Sequence, residues 1–364
     1  MRRQAYKPQA VKRVYIPKDG TDKMRPLGIP SFEDKIVQDV ISGILTEIYE
    51  PIFLDTSYGF RPERDCHDAL KALNSIIETK KVSYIVDADI KSFFDNVDHE
   101  WIMKMLEYRI GDMNLLRLIK RFLKAGIMED GKWEESEVGT PQGGLISPII
   151  SNVYLHYVLD IWFEKVVKKQ SRGEANIIRY ADDCVCCFQY RDDAERFYAS
   201  LKERLGKFKL EIAAEKSRII EFGRFAEANL AQKGQKPDKF DFLGFTHYCG
   251  KSQTGKFRVK RITSKKKLKS KLKKIKRWMR ENINKPVVEL IKELNLKLKG
   301  HYNYYGITDN TPGISKYAYA VRRALFRHIN RRRQGRPCDF LKFEKLMKKY
   351  PLVSPRIRVS IYNT

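Results

Sequence analysis

The chain has 364 residues, of which 42% are hydrophobic and 32% charged, and its formal net charge is +27. That length and apolar content exclude a disordered chain and suit two or three packed domains. No apolar run approaches the roughly 18 residues that cross a bilayer. The start, MRRQAYKPQAVKR, lacks the apolar core of a secretory signal, so neither a membrane-spanning nor an exported protein is expected.

The charge is unevenly placed. Residues 251–364 hold 33 Lys and Arg against 6 Asp and Glu, whereas residues 1–250 balance at 39 and 39. A neutral body with a basic arm suits a polyanionic partner. Nucleic acid is preferred over a merely solvated surface or an anionic membrane. The six cysteines, three of them clustered at Cys184, Cys186 and Cys187, read as free thiols of a reducing compartment.

In chain order, residues 11–16 alternate as a strand and PKDGTDKMRP (17–26) reads as a turn. Ile36, Val37, Val40, Ile41, Ile44, Leu45 and Ile48 repeat at helical spacing over 33–50. SYIVDADI (83–90) is a strand that puts Asp87 and Asp89 on one face. Asp98 is the predicted N-cap of a helix over 99–109. Ser147 and Pro148 predict a helix start with serine as the cap, continued by Ile150, Val153, Tyr154, Tyr157, Val158 and Ile161. Residues 177–180 and 184–188 are strands joined by a turn at Ala181-Asp182-Asp183. Residues 193–209 read as helix and DFLGF (241–245) as a short strand.

Beyond 250 the texture changes. Leu268, Leu272, Ile275 and Met279 mark an amphipathic helix whose outer face is Lys and Arg. Val287 to Leu298 marks a second helix, Tyr317–Asn330 a third, and RRRQGRP (331–337) a linker. Three domains are predicted: 1–250, 251–330 and a basic tail over 331–364.

Adjacent aspartates between apolar runs need an explanation, because neighbouring carboxylates repel and burial penalises their charge. Alone, such a pair reads as a hairpin cap. The second acidic strand end at Asp87-Ala88-Asp89 changes that reading. Two carboxylate clusters on strand ends can hold two Mg²⁺ ions roughly 3.5–4 Å apart. Hard oxygen ligands suit that ion, which lowers the pKa of an attacking 3′-hydroxyl and supports leaving pyrophosphate.

The motifs run in a recognisable order: RVYIPKDGTDKMRPLGIP (13–30), SYGFRPERDCHDAL (57–70), DADIKSFFDNVDHE (87–100), GTPQGGLISPIISNVYLHYVLD (139–160), RYADD (179–183), LEIAAEKSRI (210–219), FDFLGF (240–245) and LKGHYNYYG (298–306). Together they resemble the group II intron reverse transcriptase/maturase family, in the form without an endonuclease domain. The resemblance implies an α+β right-hand polymerase fold, with fingers and palm over 1–250 and an α-helical thumb, or maturase domain, over 251–330. It implies an RNA-directed DNA polymerase, a nucleotidyltransferase that copies RNA into DNA from a primer 3′-end and assists intron splicing and mobility. The alternatives are a maturase-type RNA-binding splicing cofactor, or a family relative recruited to defence or repair.

Carried over residue by residue, Asp89 and Asp182 would bridge two Mg²⁺ ions, with Mn²⁺ as a substitute. Asp183 would assist and the Ile90 carbonyl would add a ligand. Asp87 falls outside the pattern and reads as a solvated strand residue. Lys216 matches a lysine that protonates pyrophosphate. Lys12, Lys18 and Arg25 match cations that hold the triphosphate, with Lys23 as a substitute in a turn one residue longer than the pattern. Phe94 matches the aromatic that rejects a 2′-hydroxyl, and Gln142 a contact to nucleotide or base pair. Gly143 and Gly144 would let backbone approach template and primer. Arg61 and Arg179 would support structure or template. Lys265, Lys266, Lys269, Lys273 and Lys276 would lie along the template–primer backbone. Tyr302, Tyr304 and Tyr305 pack between helices or stack on bases. The implied partners are an RNA template, a DNA or RNA primer, dNTPs and group II intron RNA, with no membrane. The implied location is the bacterial cytoplasm, with the nucleoid. About ten residues precede the first fingers strand, which leaves template clamping and intron binding open. No H-N-H cluster is found, so second-strand cutting is not expected.

Overall fold

The computed structural model describes residues 6–17, 24–134, 138–139, 143–231, 234–332 and 338–362. Two units divide between Asp238 and Lys239.

In the first unit, a four-stranded sheet carries the acidic strand ends. Its strands are β3 (Tyr84–Asp89), β6 (Ala175–Tyr180), β7 (Asp183–Phe188) and β8 (Arg218–Glu221), in the order β6-β7-β3-β8, with each neighbouring pair antiparallel. Val86 lies opposite Cys186 and Ala88 opposite Cys184, so these side chains share one face and enter the main core with Ile177 and Phe188. The other face is buried too, through Ile85, Val185 and Cys187. A sheet covered on both sides needs apolar residues at successive positions, which is why CVCCF runs without alternation.

A second sheet, in the order β2-β1-β4-β5, joins β1 (Val11–Pro17), β2 (Met24–Ile29), β4 (Ile127–Glu129) and β5 (Lys132–Glu134). The turn predicted over 17–26 is strand at Pro17 and at Met24, Arg25 and Pro26, which the β1–β2 ladder pairs, and its residues 18–23 lie outside the described residues.

Helices α1 (Phe32–Tyr49), α3 (His99–Glu107) and α5 (Ser147–Leu155) fall where helices are predicted, and α2 (Cys66–Thr79) and α4 (Met113–Leu123) add two that the sequence reading did not place. Ser31, Asp65, Asp98 and Asp112 accept backbone N–H bonds at the starts of the first four. The apolar set of α1 covers more than one face. Ile41 and Leu45 enter the core, while Ile36, Val40 and Ile44 stay exposed.

Ser147 is not the cap of α5. It is the first helical residue, Ile146 occupies the cap, and the Ser147 N–H donates to the Gly144 carbonyl. Pro148 keeps its early position, because the first turn has no use for its missing donor. Past Leu155 the helix widens into π turns at His156–Asp160 and Phe163–Val167, then ends in α6 (Lys168–Gln170). The unit continues through α7 (Arg191–Lys207) and α8 (Ala226–Ala231).

The second unit opens on a three-stranded antiparallel sheet of β9 (Phe240–Phe242), β10 (Phe245–Lys251) and β11 (Phe257–Thr263). The predicted strand DFLGF is therefore a hairpin. Leu243 and Gly244 have φ of 48° and 81°, the left-handed pair a two-residue turn requires. Four helices follow: α9 (Lys265–Glu281), α10 (Val287–Tyr305), α11 (Thr311–Arg332) and α12 (Phe340–Lys349). Their inward faces carry Ile275, Met279, Leu290, Leu294, Leu298, Val321, Leu325 and Phe343. Tyr302 and Tyr305 are buried, and the Tyr304 hydroxyl donates to the Leu243 carbonyl, so all three tyrosines pack.

Gly143 has φ +118°, and a Cβ there would come within 2.5 Å of the Gly28 carbonyl in β2. Gly143→Ala therefore meets backbone as well as strain. It is expected to cost about 1–3 kcal/mol, seen as a lower urea midpoint for the first unit.

Candidate active site

The turn between β6 and β7 is built on a buried cation. Arg179, fully buried, donates from Nε to Asp160 Oδ1 at 2.7 Å and from Nη2 to Asp160 Oδ2 at 2.5 Å. Its Nη1 donates to Asn152 Oδ1 at 3.1 Å and to the Ala181 carbonyl at 2.9 Å. Ala181 has φ 57°, a left-handed residue that no glycine relieves, and Arg179 fastens the carbonyl of that peptide. A guanidinium pairs a carboxylate through both oxygens and still has donors to spare, which lysine could not do.

SYGFRP forms the other side of the mount. The Arg179 N–H donates to the Thr56 carbonyl at 2.8 Å, the Tyr58 N–H donates to the Arg179 carbonyl at 2.9 Å, and Asn152 Nδ2 donates to the Gly59 carbonyl at 2.7 Å. A Cβ on Gly59 would lie 2.3 Å from the Ala181 nitrogen, so only glycine lets this loop touch the turn. Arg61 locks the loop. Its buried guanidinium serves Glu50 and the carbonyls of Leu54 and Ser57. Of the two roles read for Arg61, the geometry supports the structural one, since its side chain is 2% exposed and bonded within the fold.

On this mount the carboxylates meet. Asp89 lies directly opposite Asp183 at the end of the β3–β7 ladder, which puts both side chains on one face with Cα atoms about 4.5–5.5 Å apart. Asp183 is exposed, and Asp182 and Asp89 are half-buried. The Asp182 carboxyl is held above the usual carboxylate range, first by burial and then by the charge of Asp89, against the pull of Arg25 and Arg179. Asp89 is positioned from behind: its N–H donates to Ser217 Oγ at 3.2 Å and its carbonyl accepts from the Ala213 N–H at 2.8 Å. Lys216 Nζ donates to Asp89 Oδ2 at 2.9 Å, and this bond holds the ammonium above the usual lysine range.

The donors are hard carboxylate oxygens, and the mutual repulsion of Asp89 and Asp182 is what a divalent cation relieves, so the chemistry fits such an ion. Among the described residues no three Asp, Glu, His or Cys side chains converge as a ready cage. Asp89 instead shares its charge with Lys216. Asp89 points its backbone groups toward Ala213 and Ser217, so by strand alternation the Ile90 carbonyl faces the β7 side, where the turn lies. Asp87 lies opposite Arg218 in β8, an opposite-charge pair in the ladder.

Arg25 on β2 is exposed and close enough for its charge to act on Asp182. Lys12 shares that face of the hairpin but is paired with Ile29, while Arg25 is paired with Ile16. The two cations thus stand four residues, about 13 Å, apart. Phe93 is buried against Tyr154, whereas Phe94 is half-buried with its edge toward Phe93 at 5.4 Å. Gly139 packs on the Phe94 and Asp95 carbonyls, with φ +87° and no room for a Cβ. Gly143 is exposed and abuts Gly28, and Gly144 is buried just before α5, its carbonyl accepting from the Ser147 N–H. Lys18, Lys23 and Gln142 lie outside the described residues.

Sequence reasoning missed Asp160 and Asn152. They stand with His156 at four-residue spacing in a helix otherwise buried among apolar residues. That polar row was the available signal. Arg179→Met strands a buried carboxylate and is expected to cost about 3–5 kcal/mol in urea unfolding of the first unit. Arg179→Met with Asp160→Leu should recover most of that stability.

The reverse transcriptase (RNA-dependent DNA polymerase) family matches residues 16–247, and the group II intron maturase-specific domain matches residues 268–350. The chain is 48% identical over 151 residues to the group II intron-encoded protein LtrA of Lactococcus lactis subsp. cremoris, covering 42% of this chain and 25% of that protein. It is 37% identical over 173 residues to the protein YkfC of Escherichia coli K12, covering 46% and 45%. The matched stretch thus spans about a quarter of the first relative and under half of the second. Telomerase of Candida albicans, solved with a fragment of telomeric RNA, superposes with a TM-score of 0.53 at 11% identity, over 95% of this chain and 58% of that one. The chain belongs to the reverse transcriptase family, built on its α+β polymerase fold and carrying a group II intron maturase domain.

Proposed function

We propose that the chain is an RNA-directed DNA polymerase that extends a primer 3′-end on an RNA template. The observation that carries this reading is the register that brings Asp89 opposite Asp183, with Asp182 coupled to Asp89 by charge. Asp89 and Asp182, helped by Asp183 and the Ile90 carbonyl, would hold two Mg²⁺ ions. Those ions would lower the pKa of the primer hydroxyl and support the pyrophosphate.

The chain's own groups do the rest. Arg25, within electrostatic reach of Asp182, is suited to a bidentate phosphate contact on the incoming triphosphate, and Lys12 extends the same positive face. Lys216 is protonated at neutral pH and stands beside Asp89, so it can give a proton to leaving pyrophosphate. Phe94, half-buried beside Phe93, would use the exposed part of its ring against a 2′-hydroxyl. Lys265, Lys266, Lys269, Lys273 and Lys276 are all exposed on α9 and would run along the template–primer backbone without reading sequence.

The maturase-specific match supports intron RNA as a partner, with splicing and mobility as its biology. A splicing cofactor acting only by binding would not need Asp89 opposite Asp183 with Asp182 beside them, which favours the enzyme. No described helix is long and apolar enough to cross a membrane.

Asp182→Asn is expected to abolish Mg²⁺-dependent primer extension while leaving RNA binding intact; surviving extension would refute the assignment. The same variant tests the electrostatics. A carboxyl whose pKa is raised on folding keeps its proton better folded than unfolded, so stability falls as pH rises through that window. Asp182→Asn should therefore unfold at a higher temperature than the parent at neutral pH in chelator, and the difference should vanish at acid pH. Phe94→Ala is expected to raise incorporation of ribonucleotides relative to dNTPs; an unchanged ratio in single-turnover extension removes its gate role.

A further inference from the structure

The second unit contains a cleft that the template–primer face of α9 does not account for. It lies between the C-terminal end of α9 and the C-terminal half of α11, and it is an open cleft of about 400 Å³, within the usual size of small-molecule sites. Met279, Ala320 and Ala324 form its floor together with the buried imidazole of His328. Neighbouring positions of α11 carry the large buried side chains Tyr317, Val321 and Leu325. The two alanines are what leave the cleft open.

Its rim is cationic. Arg323, Arg327 and Arg331 rise from α11 at four-residue intervals, and Lys276 and Arg280 face them from α9. Among the described residues none of these five has a carboxylate partner, and α11 carries no acidic residue at all. Like charges four apart on a helix repel and destabilise it. Rows of them around one cavity are the signature of an anion that neutralises them when it binds. Three arginines one turn apart, about 6 Å from one to the next, present a ladder for successive phosphates, each able to take two hydrogen bonds. The floor offers a thioether, two methyl faces and the ring of His328, which suit the flat face of a base better than a hydrated ion. Beside it the Arg323 guanidinium lies over the exposed ring of Tyr319 at 5.7 Å.

The geometry points to a seat for an unpaired nucleotide of an RNA strand, with phosphates on the arginine row of α11 and the base on the Met279 and alanine floor. This assignment rests on the reading of the chain as a polymerase that works on RNA, and it adds a site for strand that is not in the template–primer duplex. A duplex has no free base to place on the floor.

The test uses the full chain and two probes, a short single-stranded RNA and a blunt RNA–DNA duplex of equal length. Arg323→Gln with Arg327→Gln should weaken binding of the single strand about ten-fold. It should also flatten the dependence of its affinity on salt, by roughly 0.7 in slope for each phosphate no longer held. Ala320→Leu and, separately, Ala324→Leu fill the cleft without touching charge. Each should weaken the single strand several-fold with an unchanged salt slope, and leave the duplex alone. Circular dichroism identifies any variant that misfolds, and two cleft-filling variants keep the test open. If both bind single strand like the parent, or if the arginine variant weakens strand and duplex alike, the cleft is an electrostatic surface and the proposal is wrong. Failure of the parent to extend a primer would sink the polymerase reading instead, while these binding ratios would still report on the cleft.

Discussion

The buried pair of Arg179 and Asp160 is the constraint on which the active turn depends. Both side chains are fully excluded from water, and their two parallel hydrogen bonds are reinforced by Asn152 and the Ala181 carbonyl. Such a pair adds little net stability, because desolvation offsets its attraction. Its value is geometric. It admits one arrangement of helix, loop and turn, and a shift of the turn would leave a charge or a carbonyl unpaired. The SYGFRP loop, the π turn ending at Asp160 and the left-handed Ala181 all meet at this point.

A rigid mount is needed because the groups it carries repel. Asp182 bears a cost of burial and a cost from Asp89, and Lys216 offsets only part of the charge. A turn held by weaker contacts would relax by swinging the carboxylates apart into water. Holding them together keeps the site poised for positive charge, which is the electrostatic condition that a phosphoryl-transfer centre exploits. Stability and activity therefore oppose each other at Asp182.

The second unit handles charge in the opposite way. The first 250 residues are neutral overall and hold many of their charges in local pairs, whereas Lys276 and Arg280 of α9 and Arg323, Arg327 and Arg331 of α11 gather around one cleft with no carboxylate among its lining residues. Segregation of this kind costs self-repulsion in the free protein and is offset by counterion release on a polyanion. The floor of Met279, Ala320 and Ala324 makes one part of that surface more than a patch of charge.

Much of this was legible from residues alone. Runs of strand-forming residues located β3 and β7, helical spacing located α1 and the amphipathic α9, the Asp98 cap located α3, and the order of short motifs indicated the family. The failures are equally local. Ser147 has the chemistry of a cap, but Ile146 takes the position because the chain before it folds back through Gly144. Leu243 looks like a strand residue and sits in a left-handed turn because Gly244 follows it. Gly143 reads as a place where nucleic acid approaches, and nothing local signals that it also abuts the Gly28 carbonyl, 115 positions away in the chain.

By itself the amino-acid order determined which side chains could do chemistry: carboxylates at two strand ends, cations around them, and a basic C-terminal third. These follow from composition and short-range periodicity, which chain chemistry controls directly. Only the tertiary structure decided that Asp89 stands opposite Asp183, that Arg179 faces Asp160, and that Arg61 turns inward. Each of those is a pairing between distant segments, set by how sheets and helices bury their apolar faces, and no local pattern encodes that choice.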